Sequence, residues 1–237
     1  MNPKDRLIVA LDVEVEEKAI NLVERLKNDV RFFKVGFELF TSCGPKIIER
    51  IKETDCEIFL DLKFHDIPNT VSRAAISAVR LGVFMFNVHA LGGYDMMKEA
   101  VDAIGREAAR SGERKPKILA VTILTSMDEK ALKKVGISDN IQTQVLRLAG
   151  LAKNAGLDGV VASPQEVKSI RKEFGKYFLI VTPGIRPAWS VSGDQKRIAT
   201  PKSAIKDGAD FIVVGRPIIE SKDPAYAAKE ILKELEI

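Results

Sequence analysis

Cysteine is nearly missing from this chain. Cys43 and Cys56 are the only two in 237 residues, and they sit at no metal-ligand spacing. That argues against a disulfide framework and makes a reducing cytosol the expected compartment. Histidine is equally scarce: with only His65 and His89 to draw on, the spacing shows neither a zinc cluster nor a histidine-centred triad. Charge of one sign is not in excess either. Lys and Arg number 37 against 33 Asp and Glu, a net charge of +4, and no basic block carries interleaved aromatics. Nucleic-acid binding is therefore not called for, and the mild positive balance suits an anionic small substrate. The apolar run at residues 7–11, after Lys4, Asp5 and Arg6, is too short for a signal-peptide core or a membrane span. A cytoplasmic protein with no membrane partner is the expectation. No Gly-x-Gly-x-x-Gly follows that first run, which argues against a dinucleotide-binding open sheet.

What the chain does have is alternation. Apolar, β-branched-rich runs at residues 7–11, 32–36, 57–60, 83–89, 118–124, 159–163, 178–182 and 211–215 predict eight strands. Helical spacing fills the intervals at residues 15–28, 45–52, 69–81, 94–111, 129–134, 141–154, 165–174, 202–207 and 225–235. Strands alternating with helices make a parallel sheet, and eight such units in about 250 residues match a (β/α)8 TIM barrel. With no linker, repeat or low-complexity tract, residues 1–237 read as one barrel domain. Asp12, Lys34, Asp61, Lys63, Thr125, Ser126, Arg186 and Arg216 all fall at or just past the C-terminal ends of strands. Barrel enzymes keep their sites on that face.

The stretch Phe59-Leu60-Asp61-Leu62-Lys63-Phe64-His65-Asp66-Ile67-Pro68-Asn69-Thr70 carries the densest signal. Side chains alternate across a strand, so Asp61 and Lys63 are expected on one face with Leu62 on the other. Charges pointing inward are costly without partners, which implies that something there needs them. The bland alternative, a surface ion pair on a solvated edge strand, fits poorly with the apolar flanks. Asp66 falls on a strand-to-helix loop, because Pro68 suits a helix start. Gly215-Arg216 follows the last strand, where barrels often bind phosphate: the glycine allows close backbone approach and the arginine offers a charged fork. The loop at residues 183–201, with Pro183, Arg186, Trp189, Asp194, Gln195 and Lys196, is long for its place and is expected to close over a bound anion. Thr125-Ser126 read either as turn initiators or as hydrogen-bonding partners of a polar ring. His65 and His89 read as structural hydrogen-bonding residues.

These residues taken together resemble a known family. Asp61-x-Lys63-x-x-Asp66-Ile67-x-x-Thr70, preceded by Lys34 and followed by Thr182-Pro183-Gly184-Ile185-Arg186, Asp194-Gln195-Lys196-Arg197 and Gly215-Arg216-Pro217, resembles the orotidine 5′-phosphate decarboxylases, most closely their bacterial short form. The resemblance runs from residues 7–12 to Arg216. It implies a homodimer of barrels that decarboxylates orotidine 5′-phosphate to uridine 5′-phosphate with neither metal nor organic cofactor. It further implies that Lys34, Asp61 and Lys63 come from one subunit, while Asp66, Ile67 and Thr70 reach the neighbour's site. Asp12 and Lys34 would hold the ribose hydroxyls with Asp66 helping from across the interface, Ser126 would contact the pyrimidine with Thr125 beside the substrate, and Gln195, Gly215 and Arg216 would grip the phosphate. Pro183 and Arg186 would sit at the base of the closing loop, and Lys63 would deliver a proton to C6. Relatives such as 3-keto-L-gulonate 6-phosphate decarboxylase share Asp-x-Lys-x-x-Asp but use magnesium and carry an acidic residue where Lys34 stands, so Lys34 argues against them. An idle nucleotide-binding barrel would have no reason to keep an inward Lys63.

Overall fold

Apolar runs too short for helices, each followed by an amphipathic segment, close into a ring. The computed structural model describes residues 2–190 and 199–236. In chain order the elements begin with β1 (Leu7–Ala10), α1 (Glu16–Leu26), β2 (Phe32–Gly36), α2 (Phe37–Cys43), α3 (Lys46–Lys52), β3 (Glu57–Phe64) and α4 (Pro68–Arg80). They continue with β4 (Met85–His89), α5 (Gly93–Ser111), β5 (Lys117–Val121), α6 (Glu129–Lys134), α7 (Ile141–Asn154), β6 (Gly159–Val161) and α8 (Val167–Phe174). The last are β7 (Leu179–Thr182), α9 (Pro201–Asp207), β8 (Phe211–Val214), α10 (Arg216–Ile219) and α11 (Pro224–Glu234). All strands are parallel and pair in sequence order, and β8 returns to β1 with Leu7 beside Ile212. The result is the expected (β/α)8 barrel. Among the described residues no helix is long and apolar enough to cross a membrane.

Strand alternation divides the core in two. Leu7, Val9, Phe33, Val35, Ile58 and Leu60 face the helices and join the larger cluster. Ile8, Ala10, Phe32, Phe59, Met85, Leu119, Val181, Phe211 and Val213 fill the barrel interior. At its N-terminal end the rings of Phe32, Phe84 and Phe211 meet at centroid distances of 4.8, 5.6 and 6.3 Å and plug the floor. Burying each such side chain stabilises the fold by roughly 1.5–3 kcal/mol. The same inward register continues upward from apolar to polar: Ala10 to Asp12, Phe32 to Lys34, Phe59 to Asp61, Met85 to Asn87. The functional end is thus the C-terminal continuation of the core.

Three local features differ from the sequence expectation. The segment Phe37–Cys43 forms α2, although it buries only Leu39 and so shows no apolar stripe. Arg216 opens the four-residue helix α10, too short to have a period. β3 runs on to Phe64, but its pairing with β4 is interrupted: Leu60 lies beside Phe86 and Phe64 beside Val88, so Asp61, Leu62 and Lys63 oppose the single residue Asn87. This is a bulge, which bends the strand and re-aims side chains.

Gly159 shows how tightly the ring is closed. A Cβ there would lie 2.1 Å from the Leu179 carbonyl oxygen on the neighbouring strand. Gly159→Ala is therefore expected to destabilise the protein by ~1–3 kcal/mol or more, read as a lower urea midpoint at unchanged slope. A second anchor fixes α4, the helix that carries Thr70. Buried Glu107 on α5 accepts from Arg80 Nε of α4 at 2.8 Å and from Arg110 Nη2 at 2.7 Å. Hydrogen bonding from Arg110 and then Arg80 pulls its carboxyl down to about 2. A depressed carboxyl stabilises the fold above its unfolded value near 4.5, and that contribution fades as pH falls through about 2. Glu107→Gln should accordingly lower the melting temperature at pH 7, and the gap to the unaltered protein should close on acidification toward pH 2, as thermal unfolding across pH will show.

Candidate active site

The inward polar residues meet at the barrel mouth in a line of alternating charge. Lys34 Nζ lies 3.0 Å from Asp12 Oδ1 and 3.4 Å from Asp61 Oδ2. Lys63 Nζ donates to Asp61 Oδ1 at 2.7 Å. Asp61 is thus flanked by two ammonium groups, with its side chain 13% exposed and that of Lys34 11% exposed. At an effective dielectric of about 20, one ion pair at about 4 Å is worth roughly 4 kcal/mol, so two cations offset the cost of holding this carboxylate mostly out of water. Asp12, at the outer end of the line, is exposed. Gly36 makes room for the arrangement: a Cβ there would come within 2.8 Å of Lys34 Nζ.

Lys63 reaches Asp61, but not by simple strand alternation. It lies within the bulge with φ of +44°, a left-handed conformation that costs a non-glycine residue about 1–3 kcal/mol. Two contacts hold it there. Its backbone N–H donates to Asn87 Oδ1 at 2.7 Å, and its ammonium lies 5.6 Å from the Phe37 ring centre, a cation–π distance. Asn87 Nδ2 donates to Asp61 Oδ1 at 2.7 Å. The sequence marks Asn87 only as a polar residue between Phe86 and Val88 at an inward position of an apolar strand, and it gives no signal for Phe37, because α2 carries no apolar stripe.

Two adjoining cavities open beside this line. The outer, of about 1070 Å³, is lined by Asp12, Lys34, Thr125, Pro183, Arg186, Gly215 and Arg216 among others. The inner, of about 200 Å³, has apolar walls from Phe59, Val121, Ile123 and Val161, with Lys34, Asp61 and Lys63 at its edge. The structure therefore gathers most of the expected residues at one place. Ser126 is exposed on the loop past β5 and is not in the lining of either cavity. Of that loop, Ile123, Leu124 and Thr125 line the inner cavity. Asp66, Ile67 and Thr70 are exposed, outside the lining of their own barrel's cavities, with Asp66 Oδ1 accepting from the Ile67 N–H at 2.6 Å. Gln195, with Asp194, Lys196 and Arg197, lies outside the described residues. Among the described residues no group of three or more His, Cys, Asp or Glu side chains is placed to hold a metal ion.

The histidines flank the site without entering the line. Their rings stack at 5.4 Å with 18° between planes, and His89 Nδ1 accepts from the Leu91 N–H at 3.4 Å. Burial, then the charges of His65 and Lys63, holds His89 below the ordinary imidazole value of 6.5. It is neutral at pH 7, which suits an acceptor and not a proton donor. In an NMR titration the midpoint of the His89 ring signals should lie below 6.5, and Lys63→Met should move it upward.

Comparison with known proteins agrees with this geometry. A family profile described as "Orotidine 5'-phosphate decarboxylase / HUMPS family" matches residues 5–231. A protein named orotidine 5'-phosphate decarboxylase from Syntrophotalea carbinolica is 54% identical over 232 residues, spanning 98% of this chain and 95% of its own length. One of the same name from Moorella thermoacetica is 51% identical over 238 residues, spanning 100% of this chain and 94% of its own. A crystal structure of orotidine 5'-phosphate decarboxylase from Lactobacillus acidophilus superposes with a TM-score of 0.86 at 43% identity, over 98% of this chain and 100% of that one. The likeness is one of sequence and of three-dimensional form at once, over nearly the full length, and it makes this chain an enzyme of the orotidine 5'-phosphate decarboxylase / HUMPS family.

Proposed function

We propose that the enzyme decarboxylates orotidine 5′-phosphate to uridine 5′-phosphate, the last step of UMP biosynthesis, without a metal and through a C6 carbanion that Lys63 stabilises and protonates. The family supports a decarboxylase of pyrimidine biosynthesis. The observation that carries the finer reading is the Lys34–Asp61–Lys63 line at the edge of an apolar cavity. Breaking the bond from C6 to the carboxylate leaves an electron pair on a carbon with no neighbouring carbonyl to accept it, so the charge must be met electrostatically. A fixed ammonium answers that need. As CO2 departs, Lys63 gives its proton to C6 and becomes a neutral amine, which regains a proton from solvent. The apolar walls keep water from the same carbon.

Asp61 serves chiefly to hold Lys63. Against a substrate carboxylate about 4 Å away it would also exert a repulsion of roughly 4 kcal/mol before relaxation, at an effective dielectric of about 20. Lys34 supplies a cation between Asp12 and Asp61, where the magnesium-using relatives carry an acidic residue, and this supports the metal-free reading. Asp12 and Lys34 hold the ribose hydroxyls, Ser126 contacts the pyrimidine with Thr125 beside it, and Gly215 and Arg216 grip the phosphate in the outer cavity, with Arg186 nearby; Gln195 is a further phosphate ligand in this proposal. Binding there, away from the reacting carbon, orients the ring for the chemical step.

The active form in this proposal is a homodimer of single-domain chains in the cytoplasm. Its support is the exposed apolar rim: Phe37, Ile67, Leu91 and Tyr94 are 58%, 66%, 43% and 42% exposed and follow the adjacent strands β2, β3 and β4. A second copy covering that rim brings Asp66, Ile67 and Thr70 of one subunit to the other's site.

Lys63→Ala should cut turnover of orotidine 5′-phosphate by at least about 10²–10⁴-fold while uridine 5′-phosphate still binds by calorimetry. Near-normal turnover would refute the proton-donor role. The unaltered enzyme should keep its activity in excess chelator, and a loss restored by magnesium would refute the metal-free reading. Lys63→Ala and Asp66→Ala subunits, each inactive alone, should regain about a quarter of full activity when mixed and allowed to exchange, because half the dimers then hold one intact site.

A further inference from the structure

We infer that Asn87 is a positioning residue for the reaction, fixing Lys63 and Asp61 in one geometry through a single buried amide. The inference rests on the proposed decarboxylation and concerns how its proton donor is held. Asn87 is fully buried, yet it lies on a strand whose flanking residues Phe86 and Val88 are apolar and also fully buried. It stands alone opposite the three-residue bulge of Asp61, Leu62 and Lys63. Its side chain takes over where the regular β3–β4 pairing stops.

The amide makes two bonds, both at 2.7 Å. Oδ1 accepts the backbone N–H of Lys63, and Nδ2 donates to Asp61 Oδ1. That same carboxylate oxygen accepts Lys63 Nζ. A closed ring results, running from the Lys63 backbone through Asn87 to Asp61 and back to the Lys63 ammonium. The two demands are opposite in kind: one partner needs an acceptor, the other a donor. A primary amide of this length meets both while carrying no charge. An aspartate would keep the acceptor but set a second carboxyl against Asp61; an alanine would supply neither.

The backbone consequence is the larger one. Lys63 is held at φ of +44°, away from strand geometry, and the bond to Asn87 anchors its N–H there. Without it the bulge is free to relax toward an ordinary strand, which leaves Lys63 on the face of Asp61 but shifts its ammonium out of the position that the bulge sets. Substrate contacts in the outer cavity do not involve Asn87, which is absent from the lining of both cavities. Asn87 therefore acts on the chemical step through Lys63 and leaves nucleotide binding alone.

The test compares the unaltered enzyme with Asn87→Ala and the near-isosteric Asn87→Asp, using steady-state decarboxylation of orotidine 5′-phosphate and calorimetric binding of uridine 5′-phosphate. The expected result is a kcat lower by about 100-fold in both variants, the scale of an ångström-sized misplacement. KM and the affinity for uridine 5′-phosphate should stay within about threefold, the split that marks a loss confined to the chemical step. Retention of kcat within about threefold in either folded variant would overturn the inference. So would a parallel loss of nucleotide binding, which would mean that Asn87 merely supports the cavity. If Asn87→Ala fails to fold, Asn87→Asp decides; if neither folds, Asn87 belongs to the fold alone and the inference falls. Absence of decarboxylation by the unaltered enzyme would instead sink the reading of the reaction, and the inference with it.

Discussion

Asp61 lies between two ammonium groups, 2.7 Å from Lys63 and 3.4 Å from Lys34, and much of the barrel's upper end is arranged to keep it there. A carboxylate so little exposed is costly unless cations and donors surround it. The surroundings come from separate strands: β2 brings Lys34, β3 brings Lys63 and Asp61 itself, and β4 brings Asn87. No short segment could place these groups together, because their sequence separations are bridged only when parallel strands lie side by side. The closed ring turns distant positions into neighbours, and the plugged floor makes their relative heights rigid.

The interior thus changes character from floor to mouth: Phe32, Phe84 and Phe211 meet at the N-terminal end, and Asp12, Lys34, Asp61 and Asn87 stand toward the C-terminal end. Stability and chemistry occupy different levels of the same side-chain alternation. The strain at Lys63 is tolerated because the levels below it are well packed, and because the bulge is closed by specific hydrogen bonds and not left open.

Most of the architecture was legible in the sequence. Strands buried on both faces read as unbroken apolar runs such as Leu7-Ile8-Val9-Ala10, and the helices between them carried a clear stripe. What could not be read were features owned by pairs of strands. The bulge is a mismatch in count between β3 and β4, visible only once Leu60 is set beside Phe86 and Phe64 beside Val88. Alternation alone placed Asp61 and Lys63 on one face; they do meet, but through a left-handed residue that alternation does not contain. Asn87 is not legible, because a single polar residue in an apolar strand has no local partner to announce it, and neither is α2, because one buried leucine makes no period. Motif residues that stand at strand ends, such as Asp12, Lys34 and Arg216, were the easiest to place, since topology alone brings them to one rim.

The aromatic floor has a consequence for traffic. With Phe32, Phe84 and Phe211 packed across the base, the barrel interior is a blind sac and not a passage. Whatever enters from the crown must depart by the crown. A gas molecule released at the deep end and a bulky nucleotide occupying the vestibule would then share one doorway, and the order in which they leave becomes a property of the architecture as much as of the chemistry.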